Sequence, residues 1–334
     1  MPKPNARRNP GLLPSTGRRP TLLVVGCGDV GLRLLALWRH RGWRVLALTH
    51  SPHRVAELRA AGAVPLLGSL DEPATLRRLA GLADAVVHLA PPPGSGLTDP
   101  RTVALWRALS RGRRPGRAVL MSTTGVYGDA QGQWVDECRP VQPRTERAQR
   151  RVHAERSSRA WARREPGECT LSILRVPGIY ALDREGGDPR DRVRRGTPVL
   201  VPEEDGYTNH IHADDLARAT LLSVFRGRPQ RVVQVADEGQ WTTGDYYDRV
   251  ARASGLPPPP RIGWAEAQAT LSPMVLSFWG ESRRLTTRRM HQELRCRCRV
   301  PTVEQALQEG AGLGSGLSAR PQGHGGAPAL QRPV

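Results

Sequence analysis

A five-residue apolar run, TLLVV (21–25), leads directly into GCGDVG (26–31), which in turn opens a stretch with helical apolar spacing over 29–41. Strand, glycine turn and helix in that order is the context in which a G-x-G-x-x-G spacing has a mechanism. Gly26 permits the tight turn, Gly28 lets a diphosphate approach the backbone, and Gly31 lets helix and strand pack closely. The first helical N–H groups, around Asp29 and Val30, then face the anion. A dinucleotide-binding loop is therefore expected at the start of the chain.

The same alternation continues. Apolar runs at 44–48, 64–67, 84–89, 117–122 and 170–176 read as strands, and helical patterns separate them at 52–61, 73–80, 101–111 and 144–164. Short apolar strands between longer amphipathic helices predict an α/β fold, a Rossmann-type doubly wound parallel sheet, with a small C-terminal substrate lobe. Four regions are expected: a disordered basic leader over 1–20, a Rossmann domain over 21–178, a substrate lobe with returning sheet elements over 179–309, and a Gly/Pro-rich disordered tail over 310–334. A Thr-capped amphipathic helix is expected over 241–253.

Composition limits the partners. The 334 residues carry 50 Lys and Arg against 31 Asp and Glu, a net charge of +19, and every basic residue but Lys3 is arginine. Arginine enrichment of that uniformity needs no ligand to explain it. The arginine-rich stretch 144–164 has no aromatic residues alternating with its charges as a stacking surface for bases requires, so specific nucleic-acid recognition is not expected. No apolar run approaches the roughly 20 residues of a membrane span. Five cysteines without a C-x-x-C pair suit neither a zinc site nor a disulfide framework. A metal is not expected, because His210, His212, Asp214 and Asp215 are explained by a strand exit into a helix cap. The chain reads as cytoplasmic, acting on a small molecule, with room for a homodimer.

The second strand ends in Thr49-His50-Ser51-Pro52-His53-Arg54. An NAD-selective site places a carboxylate there for the ribose 2′-hydroxyl. With none present, and with Ser51 and Arg54 able to hold a 2′-phosphate, NADP(H) is expected over NAD(H).

Beyond the glycine loop, GSLDE (68–72), HLAPPP (88–93), STTGVYG (122–128), LRVPGIY (174–180) and NHIHADDLA (209–217) together resemble segments of the extended short-chain dehydrogenase/reductase family, and more closely its atypical NAD-dependent epimerase/dehydratase-like members, across nearly all of 21–309. GSLDE (68–72) is similar to the family's adenine-contacting stretch and includes Leu70. HLAPPP (88–93) is similar to the strand end at which Ala90 and Pro91 line the cofactor. STTGVYG (122–128) places Thr123 at the catalytic Ser/Thr. LRVPGIY (174–180) resembles the segment beside the nicotinamide and includes Val176, and NHIHADDLA (209–217) resembles a helix entry of the family. Glu281 to Arg284 resembles an E-S-R-R/K segment near the substrate lobe, whose arginines are placed to grip a phosphate or carboxylate.

One departure matters chemically. The family's Tyr-x-x-x-Lys pair falls at Arg147 and Arg151, with Pro143, Thr145 and Glu155 in register around it. Tyrosine protonates a developing alkoxide when a neighbouring cation lowers its pKa, whereas arginine stays protonated and offers only charge and hydrogen bonds. Thr123, Arg147 and Arg151 are the expected catalytic positions, with Tyr127, Tyr180 or Tyr207 as alternative proton donors. The resemblance implies an NAD(P)-dependent oxidoreductase or epimerase/dehydratase-like enzyme acting on a carbonyl or nucleotide-sugar-like substrate. The rival reading is a catalytically silent NADP(H)-binding sensor or scaffold.

Overall fold

The computed structural model describes residues 18–164 and 169–314. The expected leader up to residue 17 and the expected tail from 315 lie outside the described residues.

The first half supplies β1 (Thr21–Val25), α1 (Asp29–Trp38), β2 (Arg44–Thr49), α2 (Val55–Ala60), β3 (Val64–Leu67), β4 (Ala85–His88), α3 (Pro100–Leu109), β5 (Arg117–Thr123), β6 (Trp134–Val135), α4 (Glu146–Arg163) and β7 (Thr170–Val176). Two helices expected from the sequence take another form. Residues Pro52–Arg54 form a 3-10 turn ahead of α2, and Pro73–Leu79 are 3-10 throughout. Both begin at a proline, whose fixed φ starts a turn at no conformational expense.

Seven strands pair side by side in the order β12-β7-β5-β4-β1-β2-β3, all parallel, where β12 (Arg231–Gln234) returns from the second half of the chain. Period-two alternation divides the core between the two faces. Leu22, Val24, Ala47, Val87 and Leu174 pack with α1 and a later helix on one side. Leu23, Val25, Leu46, Val86 and Leu120 pack with α3 and α4 on the other. Burial on both faces is why these strands read as continuous apolar runs. Trp106 of α3 stacks on Trp161 of α4 with ring centroids 4.3 Å apart.

The second half continues with β8 (Gly178–Tyr180), α5 (Pro189–Arg194), β9 (Val199–Leu200), β10 (Tyr207–Thr208), β11 (His210–His212) and α6 (Ala213–Arg226), which completes the first face. After β12 come β13 (Trp241–Thr242), α7 (Thr243–Ala253), β14 (Arg261–Ile262), α8 (Trp264–Thr270), α9 (Pro273–Trp279), β15 (Arg284–Leu285), α10 (Arg288–Gln292) and α11 (Val303–Gly314). Thr242 caps α7 through Asp245 N–H. Tyr246 and Val250 of α7 bury against Val303 and Leu307 of α11, a lobe core separate from the sheet. That packing carries α11 through residues 310–314, which the sequence alone assigns to the flexible tail. No helix among the described residues is long and apolar enough to cross a membrane.

Candidate functional site

Parallel strands all present their C-terminal ends at one edge, and the chain diverges there between β1 and β4, where a crevice forms. A cavity of about 490 Å³ occupies that crevice. Its lining brings together Gly26, Gly28, Asp29, Val30, Gly31, Thr49, Ser51, Arg54, Leu70, Ala90, Pro91 and Arg151, twelve of the residues expected from the sequence. Thr123, Arg147 and Val176 lie outside it.

The glycine loop is shaped by its missing side chains. Gly26 has φ +82°, and a Cβ there would lie 2.4 Å from the Ala90 nitrogen, so β1 and β4 approach at a distance only glycine allows. A Cβ on Gly31 would lie 2.9 Å from Cys27 Sγ. Gly28 differs: a Cβ there meets nothing within 4 Å, so the backbone is bare toward open space in the cavity. As N-cap of α1 it also places no side chain over the first-turn N–H groups. A bare backbone at a helix N-terminus is a cradle for a diphosphate, so the residues present fit a dinucleotide.

Around this loop the charged groups are largely engaged. Arg54 donates to the Cys27 carbonyl at 2.6 Å and pairs with Glu57 at 2.8 Å, so it braces the loop it was expected to flank as a phosphate ligand. Burial pushes the Cys27 thiol up to about 11, with Arg54 opposing, so it stays protonated at neutral pH. Arg101 binds Asp71 through two bonds of 2.7 and 2.6 Å, which hold the Asp71 carboxyl below its ordinary value. Arg184 reaches Asp29 at 3.1 Å.

The expected catalytic positions are split. Arg151, on the second turn of α4, donates to the Met121 carbonyl at 2.9 Å and lines the cavity. Burial lowers its pKa to about 10, which leaves it cationic at neutral pH. Arg147 lies one turn earlier, and its guanidinium sits 4.1 Å over the exposed Phe278 ring of α9. Thr123 accepts from Gly125 N–H at 3.2 Å and caps the turn after β5, while Val176 pairs beside it in β7. Glu281 Oε2 lies 3.9 Å from where a Gly125 Cβ would be and pairs with Arg283 at 2.8 Å.

Other expectations are corrected by the structure. Arg283 is buried and donates to the Gly128 carbonyl at 2.8 Å, and Arg284 donates to the Gly132 carbonyl at 2.7 Å. Both thus hold the turn 128–132, and neither is presented as an anion grip. Tyr127 is buried with its hydroxyl accepting from Gln234 at 2.8 Å, Tyr180 is buried, and Tyr207 lies beneath Arg284. His212, rather than an aspartate, caps α6, and Asp215 accepts from Arg299 and Val300 N–H. Arg101, Met121, Ile179 and Arg184 line the cavity without having been expected to; in a chain this rich in arginine no local signal distinguishes Arg101 or Arg184 from the rest.

Comparison with known proteins agrees with this geometry. The family model for the NAD dependent epimerase/dehydratase family matches residues 22–236. The chain belongs to that family. It is 28% identical over 244 residues to Protein YeeZ of Escherichia coli K12, covering 71% of this chain and 84% of YeeZ. It is 27% identical over 227 residues to 4-hydroxy-2-methyl-3-oxo-4-farnesyl-3,4-dihydroquinoline-1-oxide ketoreductase of Stigmatella aurantiaca, covering 65% of this chain and 68% of that enzyme. A conserved protein of unknown function from Silicibacter pomeroyi superposes with a TM-score of 0.72 at 29% identity, covering 86% of this chain and 97% of the other.

Proposed function

We propose that the protein is an NAD(P)-dependent oxidoreductase or epimerase/dehydratase-like enzyme that acts on a small molecule bearing a carbonyl or a nucleotide-sugar-like group. The observation that carries the reading is Gly28, bare toward a cavity that also holds Arg151. Gly26, Gly28 and the α1 N–H groups would hold the diphosphate, Ala90 and Pro91 would line the cofactor, and Thr49, Ser51 and Leu70 would face the adenosine half. When bound, the nicotinamide supplies the hydride exchange. Arg151 would donate hydrogen bonds to the cofactor's ribose hydroxyls, and Arg147 with Thr123 would orient and stabilise a substrate oxyanion. The Stigmatella relative, a ketoreductase by name, supports carbonyl chemistry.

NADP(H) is the proposed preference, because no carboxylate ends β2 to repel a 2′-phosphate. The experiment is a fluorescence titration with NADPH and NADH, followed by turnover against a panel of aldehydes and ketones. Tighter NADPH binding with measurable oxidation supports the reading, and tighter NADH binding overturns the cofactor preference. A second reading has one specific observation in its favour: Arg147 rests on Phe278 instead of the cavity. In that reading the protein is a silent NADP(H)-binding sensor or scaffold, and it binds cofactor with no turnover across the panel.

A further inference from the structure

The loop after β8 runs from the C-terminal lobe onto the glycine loop. Its Arg184 donates from Nε to Asp29 Oδ2 at 3.1 Å and from Nη1 to the Ile179 carbonyl at 3.2 Å. Its Nη2 has no partner among the described residues, and the guanidinium lines the cavity with Gly26 and Gly28. The loop is closed on itself by hydrogen bonds from Arg184 N–H to Ala181 O at 3.2 Å and from Gly187 N–H to Arg184 O at 2.9 Å. A Cβ on Gly187 would lie 2.6 Å from Arg184 Nη1, so a glycine there leaves the guanidinium its place. One residue before Arg184, Asp183 accepts from Arg33 at 2.6 Å, a second tie between this loop and α1.

Asp29 makes this arrangement informative. It is the first residue of α1, at the end of the helix where the dipole and free N–H groups favour an anion. A carboxylate there competes with an incoming diphosphate and repels it. Of the cations nearby, Arg33 is bound to Asp29, Asp183 and Asp214 together, Arg54 to the Cys27 carbonyl and Glu57, and Arg101 doubly to Asp71. Among these four, Arg184 is the one with a guanidinium nitrogen, Nη2, left uncommitted, and release of Nε from Asp29 would free the whole Nε–Nη2 edge. A planar guanidinium with two N–H groups on one edge matches two phosphate oxygens.

Building on the dinucleotide reading above, we propose that Arg184 is a diphosphate clamp carried on a strap, residues 181–187, and that Asp29 is its resting partner. A dinucleotide entering the cavity takes the guanidinium from Asp29, and Arg33 then neutralises the released carboxylate. No covalent step is involved.

Calorimetry of the full-length protein with ADP-ribose, which carries the diphosphate without nicotinamide, tests this. Arg184→Gln is expected to weaken ADP-ribose about tenfold or more, as for loss of a charge-assisted pair, with a shallower dependence of affinity on salt. Asp29→Asn is expected to tighten it, because the competing partner is gone. Adenosine, followed by ligand-observed NMR, should bind the wild type and both variants alike. Wild-type binding that Arg184→Gln leaves intact overturns the clamp but not the site, as does weakening by Asp29→Asn. Failure of the wild type to bind ADP-ribose or either dinucleotide overturns both.

Discussion

At the scale of single residues, the glycines of the first loop divide into two kinds, and the division is measurable. Gly26 is needed by the fold: its φ is positive and an added methyl group would sit 2.4 Å from the Ala90 backbone, so Gly26→Ala must displace β4. We expect it to lower stability by about 2–4 kcal/mol in urea unfolding, the range for combined strain and overpacking. Gly28 is needed by the ligand, since an added methyl group meets no protein atom. Gly28→Ala should shift the unfolding free energy by less than about 1 kcal/mol, within the range of surface substitutions and cap changes, while weakening dinucleotide binding severely in calorimetry. This loop was legible in the sequence because spacing alone encodes it. The arginines that flank it were not, because guanidinium placement depends on which of many identical side chains the fold turns inward. Arg54 was expected to face a phosphate and braces Cys27 instead, and Arg184 was not singled out.

Among elements, α4 is joined to the sheet by a buried charge pair. Glu155 accepts from Arg175 of β7 at 3.0 and 2.7 Å and from Ser122 of β5 at 2.7 Å, and Arg175 lies 4.7 Å over the Tyr127 ring. Both members are under a tenth exposed, and the partnership holds the Arg175 pKa above its ordinary value despite burial. Glu155→Gln leaves a buried guanidinium without its counter-charge, and we expect about 3–5 kcal/mol of lost stability. The double variant Glu155→Leu with Arg175→Met should lose less than that, a comparison that equilibrium denaturation can read directly. Strands at 21–25, 64–67 and 170–176 are found where the pattern put them. Helical spacing was less specific. At 52–61 and 73–80 the apolar pattern is the same for 3-10 and α geometry, and the starting proline does not separate them, because α3, α5 and α9 also begin at a proline. The length of α11 was illegible because Val303, Ala306 and Leu307 gain their stability from contact with α7, far back along the chain, which outweighs the local glycines.

For the whole molecule, two imidazoles, His88 buried and His210 half-buried, link stability to acidity. Burial lowers His88 to about 4 and His210 to about 3; His210 lies in the lobe, stacked 3.9 Å from Tyr246. Unfolded, each returns to about 6.5. Between these limits the unfolded chain binds more protons than the folded one, so stability is complete above pH 6.5 and falls as the pH drops toward 4. Each ring contributes up to about 1.4 kcal/mol per pH unit within that window. Urea midpoints measured from pH 7.5 to 5 should decline, and His210→Phe, which keeps the stack and removes the titration, should flatten the decline. The sheet is completed late in the chain: β12 pairs with β7 along Ser172 to Arg175 although 54 residues of lobe sequence separate Val176 from Arg231. A chain still emerging from the ribosome therefore holds an incomplete sheet, with the outer edge of β7 unpaired, until Gln234 is free. Synthesis paused anywhere between these strands leaves a sticky intermediate, and two separately expressed halves split in that interval would have to find each other to become soluble.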